Sequence, residues 1–290
     1  MIYIIKNKIK WNFYLNKYEF NNIFYTYNFA SLFFDNARLF VYENNNKIAL
    51  FCFTIIKNKI KSLKYNGIIF NNKNSTFKLK VKKSFYNFIK DKKIKGYQIE
   101  DSPFWDTIKI GKIIKKEPFV FIHLTKLEEQ LKKEISKNHR KSINKAKKEN
   151  LKIFETKNIK YLPIFYILYR KQLKLKKVKY KTFSFFKKMF SNLDKNLSFV
   201  CIKDNEKIIA ISIILNNNNN IFMIYGGMDK KGYSKCAKHL MIYNLIFKYK
   251  KKGYSKLILG TGNKRNDSIY NFKKGFTNEV NHIYTYGDAI

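Results

Sequence analysis

Ile221-Phe-Met-Ile-Tyr-Gly-Gly-Met-Asp229 runs into Lys230-Lys-Gly-Tyr-Ser-Lys235, and an apolar-periodic stretch continues to Lys252. An apolar strand that ends in Gly226 and Gly227 and opens onto a long helix is a natural place for an anionic ligand. Helix N-termini carry unpaired N–H groups and partial positive charge. Working outward, Leu197–Lys203 and Ile208–Leu215 form a hairpin around the turn Asp204–Lys207. A helix from about Tyr233 buries Ala237, Leu240, Met241, Leu245 and Tyr249, and Gly253 ends it. Lys256–Leu259 is a strand, about Asp267–Lys274 a short helix, and Val280–Tyr286 the last strand.

Upstream, Thr125-Lys-Leu-Glu128 has the form of a capping box. It opens a predicted long helix with Leu127, Leu131, Ile135, His139, Ile143 and Ala146 on one face and lysines on the other. Leu151–Glu155 is a strand. Pro163 opens a helix that buries Phe165, Tyr166, Tyr169 and Leu173, and Phe183–Leu193 forms another. The second half therefore reads β-α-α-β-β-β-α-β-α-β. The first half begins with a strand at Tyr3–Ile5 and a helix at Asn28–Phe34. It continues with a hairpin (Leu39–Glu43, Lys47–Ile56), a strand at Tyr65–Phe70, a helix at Lys80–Lys93, and strands at Tyr97–Asp101 and Phe119–Leu124. Lys47–Ile56 parallels Lys207–Ile214 in position and pattern, which points to an internal duplication with a worn first copy. The expected division is 1–125 and 126–290.

The chain has 290 residues, and its 45% hydrophobic content is ample for two cores. Sixty Lys and Arg against 20 Asp and Glu give a net charge of +40. An AT-rich coding sequence raises Lys, but it does not account for three bases per acid. Such a surplus points to polyanions: RNA, nucleotide phosphates or an anionic membrane surface. Cys52, Cys201 and Cys236 are widely spaced and odd in number, so buried free thiols in a reducing compartment are expected. The four histidines are scattered and no metal site is expected. The start, Met1-Ile-Tyr-Ile-Ile-Lys6, is too short an apolar run for a signal peptide, and no apolar run reaches membrane-span length. A cytoplasmic protein follows, with peripheral contact to an anionic membrane through charge alone.

The element order resembles the GCN5-related N-acyltransferase (GNAT) fold, and more closely its two-domain branch of Fem-type aminoacyltransferases and BioF2-like acetyltransferase domains. Four motifs carry the resemblance: Arg140-Lys-Ser-Ile-Asn-Lys-Ala146, Tyr225-Gly-Gly-Met-Asp229, Leu259-Gly-Thr-Gly262 and Ile269-Tyr-Asn-Phe-Lys-Lys-Gly-Phe276. It covers roughly residues 120–286 in sequence and the first half by architecture. A mixed α/β fold of tandem GNAT-like domains, the first degenerate, is what it implies. The usual glycine-rich pyrophosphate loop of an acetyl-CoA enzyme is replaced by Lys230-Lys-Gly-Tyr-Ser-Lys235, with one glycine. The helical arm often found in tRNA-using Fem enzymes has no counterpart here.

Acyl transfer needs a neutral acceptor amine, donors for the oxyanion and a proton for the leaving group. The resemblance places Lys273 at the acyl-transfer channel as the oxyanion's cation, with Phe272 as a wall; the plain alternative is a solvated helix lysine and a core phenylalanine. Gly226 and Gly227 would splay the strand toward the donor carbonyl. Lys230, Lys231 and the N–H groups near Gly232 and Tyr233 would hold donor phosphates. Arg140 and Tyr169 would border an acceptor groove between the domains, Asp229 would orient the amine, and Tyr225 or Tyr270 would return the proton. No nucleophile–base pair is evident, which fits direct transfer. The expected function is transfer of an acetyl or other acyl group from acyl-CoA to an amine of a cell-envelope sugar or peptidoglycan-type acceptor, with no tightly bound cofactor. The first alternative is aminoacyl-tRNA-dependent transfer to a peptidoglycan precursor. The second is a non-catalytic basic protein that binds RNA or a membrane surface.

Overall fold

The computed structural model describes residues 1–175, 177–262, 267–279 and 281–288. The chain divides into two compact units: Met1–Glu117 with His282–Ile290, and Pro118–Asn281. The division falls eight residues before the expected boundary, and the last strand returns to the first unit. Val280, the expected first residue of that strand, lies outside the described residues.

The first unit opens with β1 (Ile2–Ile5), α1 (Lys8–Lys17) and α2 (Tyr27–Ala30). Then come β2 (Arg38–Asn44), β3 (Lys47–Ile56), β4 (Lys59–Ser62), β5 (Ile69–Phe70), α3 (Ser75–Asp91) and β6 (Gly96–Glu100). Next, β7 (Lys112–His123) crosses the division, and α4 (Glu128–Glu134), α5 (Lys137–Lys147) and β8 (Lys152–Thr156) follow. The second unit goes on through α6 (Leu162–Leu175), α7 (Phe183–Leu193), β9 (Leu197–Asp204), β10 (Lys207–Asn217) and β11 (Asn220–Met228). It ends with α8 (Lys230–Ser234), α9 (Ala237–Lys251), β12 (Lys256–Thr261) and α10 (Ser268–Lys274), and β13 (Asn281–Gly287) closes the chain.

In the first unit the strand order is β1-β2-β3-β4-β6-β13, with β5 against β3. Asn74 caps α3 by accepting from the Phe77 N–H, and Phe77, Val81, Phe85 and Phe88 fall on its buried face. Phe85 meets Phe40, Phe51 and Tyr97 edge-on, so aromatic burial dominates this core. The expected strand Tyr65–Phe70 shrinks to Ile69–Phe70. Tyr65 takes φ +60°, and the buried Asn66 side chain bonds Cys52 N and Phe24 O instead of leaving its backbone to a ladder.

In the second unit the order is β7-β12-β11-β10-β9-β8. The two units repeat one plan. In each, three antiparallel strands lead through a helix to a parallel fourth: β4 with β6 (Lys59↔Gly96) and β11 with β12 (Asn220↔Lys256). β3 and β10, the stretches that suggested duplication, are the middle strands of these triplets. The flanking strands are exchanged: β13 pairs with β6 (Thr285↔Glu100), while the Pro118–His123 end of β7 pairs with β12 (Ile122↔Leu257).

The expected long helix after Thr125 is two helices. Its register breaks at Ile135–Ser136, where the Ser136 hydroxyl accepts from His139 N and starts α5 afresh. At the front, only half a capping box forms: Gln130 Oε1 accepts from Leu127 N. The helix expected from Tyr233 is likewise split, because Cys236 adopts φ +53° between α8 and α9. The α9 residues Ala237, Leu240, Met241, Leu245 and Tyr249 are buried as the pattern requires, together with Ile242 and Ile246.

Candidate active site

The site lies in the second unit, where β11 and β12 part. Their parallel register covers Asn220↔Lys256, Ile221↔Leu257 and Phe222↔Ile258. The β11–β10 register slips at this level, between Ile213 and Ile214, so that Ile224 is an extra residue on β11. A bulge of this kind bends its strand. A cavity of about 580 Å³ opens there, walled by Met223–Gly226 of β11, Leu259 of β12, Tyr169 and Gln172 of α6, Lys238 and His239 of α9, and Phe272 and Lys273 of α10. The pairing of the two strands ends at Phe222↔Ile258, short of the glycines expected to splay the strand.

The two glycines serve different neighbours. Ser212 and Gly226 are register partners across β10 and β11. A Cβ on Gly226 would stand 2.5 Å from Lys238 Nζ and 2.6 Å from Ser212 Oγ. The missing side chain is therefore the space that admits the lysine, whose Nζ donates to Ser212 Oγ. Gly227 faces the other side of the sheet. Its Cβ would meet Tyr169 N at 2.2 Å and the Leu168 carbonyl carbon at 2.4 Å, so it lets α6 lie close on the strand.

Lys238 is the group that sequence reasoning missed. Burial, then the Lys273 charge, depress its ammonium to about 7. An amine so placed is substantially neutral near pH 7. Lys273 Nζ lies on the same wall and donates to Thr261 O at 2.8 Å. The residues thus bring one lysine cation and one amine that titrates near neutral pH to a single cavity. Ser212 is fully buried, which suits it to orient Lys238 rather than to attack a substrate. No local signal in the sequence separates Lys238 from the other lysines of this chain; only the turn count from Gly226 across the α8–α9 break brings them together.

Of the residues expected at the site, Lys273, Phe272, Tyr225, Gly226, Tyr233 and Tyr169 line the cavity. Tyr225 packs edge-on against Tyr169 and Phe186, and burial followed by Tyr169 pushes its hydroxyl well up, so it keeps its proton. Tyr270 is in the core, behind Gly262, and does not reach the cavity. Arg140 is away from it as well. Its guanidinium donates to Ile135 O at 2.5 Å and Lys133 O at 3.3 Å, closing the end of α4.

The expected phosphate cradle is occupied by the protein's own acids. Asp229 caps α8 by accepting from Gly232 N at 2.8 Å, and Lys207 lies 3.6 Å from its carboxylate. Lys231 and Lys235 both hold Asp204, at 2.7 and 3.0 Å, and keep its carboxyl below the usual carboxylate range. Gly232 is packed against Met228 and Ile209 O, and Lys230 is exposed. A helix start already capped by a carboxylate is a poor place for a pyrophosphate.

Two of the scattered histidines meet at the cavity wall, His239 lining it and His139 behind. His139 and His239 rings are 4.7 Å apart and edge-on, and both contact Phe272 and Phe276. His139 Nε2 pairs with Phe272 O at 2.8 Å. Burial, then His139, depress His239 to about 4, so it is neutral at physiological pH. The pair fixes the backbone of the Phe272–Lys273 segment. Among the described residues, no group of His, Cys, Asp and Glu could hold a metal, and no helix is long and apolar enough to cross a membrane.

A FemAB-like family model, described as peptidoglycan biosynthesis and recognition, matches residues 117–235. No curated protein matches the chain. The crystal structure of FemX matches 98% of this chain and 97% of its own, with TM-score 0.69 and 11% identity. The structure of L-PGS from Bacillus licheniformis matches 97% and 91%, with TM-score 0.60 and 16% identity. The C-terminal domain of a putative lysylphosphatidylglycerol synthetase from Agrobacterium fabrum matches 82% and 80%, with TM-score 0.56 and 12% identity. At such identities the likeness is one of fold, and it bears out the mixed α/β, tandem GNAT-like reading. The resemblance to the Fem-type branch is borne out with it, over a family match that stops before Leu259, Phe272 and Lys273.

Proposed function

We propose that the second unit is a Fem-type acyltransferase that moves an aminoacyl group from an aminoacyl-tRNA to an amine of a peptidoglycan-type precursor. The observation that carries this is the cavity that the FemAB-like segment walls with Tyr169 and Met223–Gly226 and that gains, from residues beyond that segment, the cation of Lys273 and the depressed amine of Lys238. The occupied helix start at Asp229 favours tRNA over acyl-CoA as donor, since a CoA pyrophosphate would have to displace that cap. The charge of +40 suits a polyanionic donor.

In this reading, neutral Lys238 takes the proton of the acceptor's ammonium. The freed nitrogen attacks the ester carbonyl carbon, and Lys273 stabilises the oxyanion that forms. That attack forms the C–N bond; collapse of the intermediate breaks the ester C–O bond. The ribose oxygen takes the nitrogen's second proton and leaves as a hydroxyl, and Lys238 passes the first proton to solvent. The test is transfer of a labelled amino acid from charged tRNA, or of labelled acetate from acetyl-CoA, to a muropeptide precursor. RNase-sensitive transfer from tRNA is expected. Transfer from acetyl-CoA alone would reject the donor, and no transfer from either would reject the activity.

A further inference from the structure

The exposed side of α6 and the turn after it present apolar side chains to solvent. Ile167 and Leu175 are 58% and 72% exposed, and Val178 and Tyr180 are 44% and 39% exposed. At 100° per residue, Ile167, Lys171, Lys174 and Leu175 share one helix face, opposite Phe165, Tyr169 and Gln172, which meet the sheet and the cavity. Exposed Lys171, Lys174, Lys177 and Lys179 alternate with the apolar residues. Apolar groups exposed together in this way call for a partner.

The chemistry selects the partner. Single-stranded RNA is held on aromatic planes and guanidinium groups, whereas three of these four apolar groups are aliphatic and the interleaved cations are lysines. A second copy of the chain, itself at +40, would be repelled. Aliphatic side chains set among lysines match the interface of an anionic bilayer, where short apolar groups enter the headgroup layer and ammonium groups meet lipid phosphates.

We propose that this face of α6 and the following turn dock the protein on an anionic lipid surface, with Leu175, Val178 and Tyr180 entering the headgroup region. The inference does not depend on the catalytic reading. It would set the cavity one helix diameter, about 10–12 Å, from the lipid, within reach of a lipid-anchored substrate.

The test is sedimentation of the full chain with vesicles of phosphatidylcholine alone or with phosphatidylglycerol, at 0.15 M salt. Because +40 alone attracts anionic vesicles, the decisive variant keeps the charge: Leu175→Ser, Val178→Ser and Tyr180→Ser together. At least a tenfold loss of affinity for the anionic vesicles is expected, with tRNA retention unchanged. An unchanged vesicle affinity would mean charge attraction only and would overturn the proposal. Weakened tRNA retention with vesicle affinity intact would make the face an RNA surface and overturn it too. Independently, the Tyr180→Trp variant should gain a fluorescence component quenched by brominated lipid; its absence in vesicle-bound protein would also overturn the proposal.

Discussion

Ser212 on β10 stands directly across from Gly226 on β11, and the gap left by the absent side chain is filled by the Nζ of Lys238. The neighbouring Gly227 has α6 backbone in its place. Substitution at the two positions should therefore fail in different ways. Gly226→Ala displaces the Lys238 ammonium and the Ser212 hydroxyl, both ends of side chains that can turn away, so the fold should persist while turnover falls at least tenfold. Gly227→Ala drives a methyl into the backbone at Leu168–Tyr169, which cannot yield. It should destabilise the protein by about 3 kcal/mol or more. Urea unfolding and turnover, measured on both variants, separate the cases; equal stability losses would contradict the assignment.

The pH dependence follows from the two amines. In the proposed reaction Lys238 acts as a neutral amine, so turnover should rise as pH passes through about 7. Lys273 contributes to holding that value down. Lys273→Met should therefore move the limb to higher pH as well as lower the plateau. The stability sign is opposite to that of a favourable ion pair. With its folded value below its unfolded one, Lys238 costs stability most below pH 7, and the cost is relieved as pH rises toward the ordinary lysine value. Lys238→Met should thus be more stable than the parent at pH 6, by an amount that shrinks by pH 10. A limb unmoved in the Lys273 variant would remove the coupling between the two.

Away from the cavity, Glu155 of β8 ties three elements together. It accepts from Ser198 Oγ at 2.7 Å, Lys248 Nζ at 2.6 Å and Tyr249 OH at 2.9 Å. Burial pushes its carboxyl up, but Lys248, Ser198 and Tyr249 outweigh that and hold it below the usual range. The stability it contributes is present above the unfolded carboxylate value and is lost as pH falls through the lower folded one. Glu155→Gln should cost about 1–3 kcal/mol at pH 7, with the difference from the parent closing as pH falls below the usual carboxylate range. A difference that persists in acid would mean that the residue acts through packing.

How much of this could be read from the sequence depended on the range of the interactions. Strands such as β3 and β10 and the helix face of α9 were legible because apolar periodicity is local. The α4–α5 break was not, because Ser136 looks like a surface residue until its hydroxyl caps the next helix. The α8–α9 break turns on Cys236 at φ +53°, which no residue preference announces. At the site, Lys273 and Phe272 were found through a motif, while Lys238 was lost among lysines. Tyr270 and Arg140 carried the right chemistry but point elsewhere: Arg140 turns back onto the carbonyls of Ile135 and Lys133, which are free only because the helix breaks there, and Tyr270 packs behind Gly262. The exchange of β7 and β13 is a purely tertiary choice between two similar sheet edges.

Asp229 tests the donor assignment most directly. Its carboxylate oxygen accepts from Gly232 N, which is the work of a helix cap, and the same residue type could instead have oriented the acceptor amine. The cap needs only an acceptor oxygen, and an amide supplies one; the catalytic role needs the charge. Asp229→Asn should therefore leave both stability and turnover close to those of the parent. Asp229→Ala, which removes the cap, should cost about 1 kcal/mol while turnover at saturating donor stays within about twofold. If Asp229→Asn instead abolished turnover with an unchanged unfolding midpoint, the carboxylate would belong to the reaction. The helix start would then be open to reassignment as part of the substrate site.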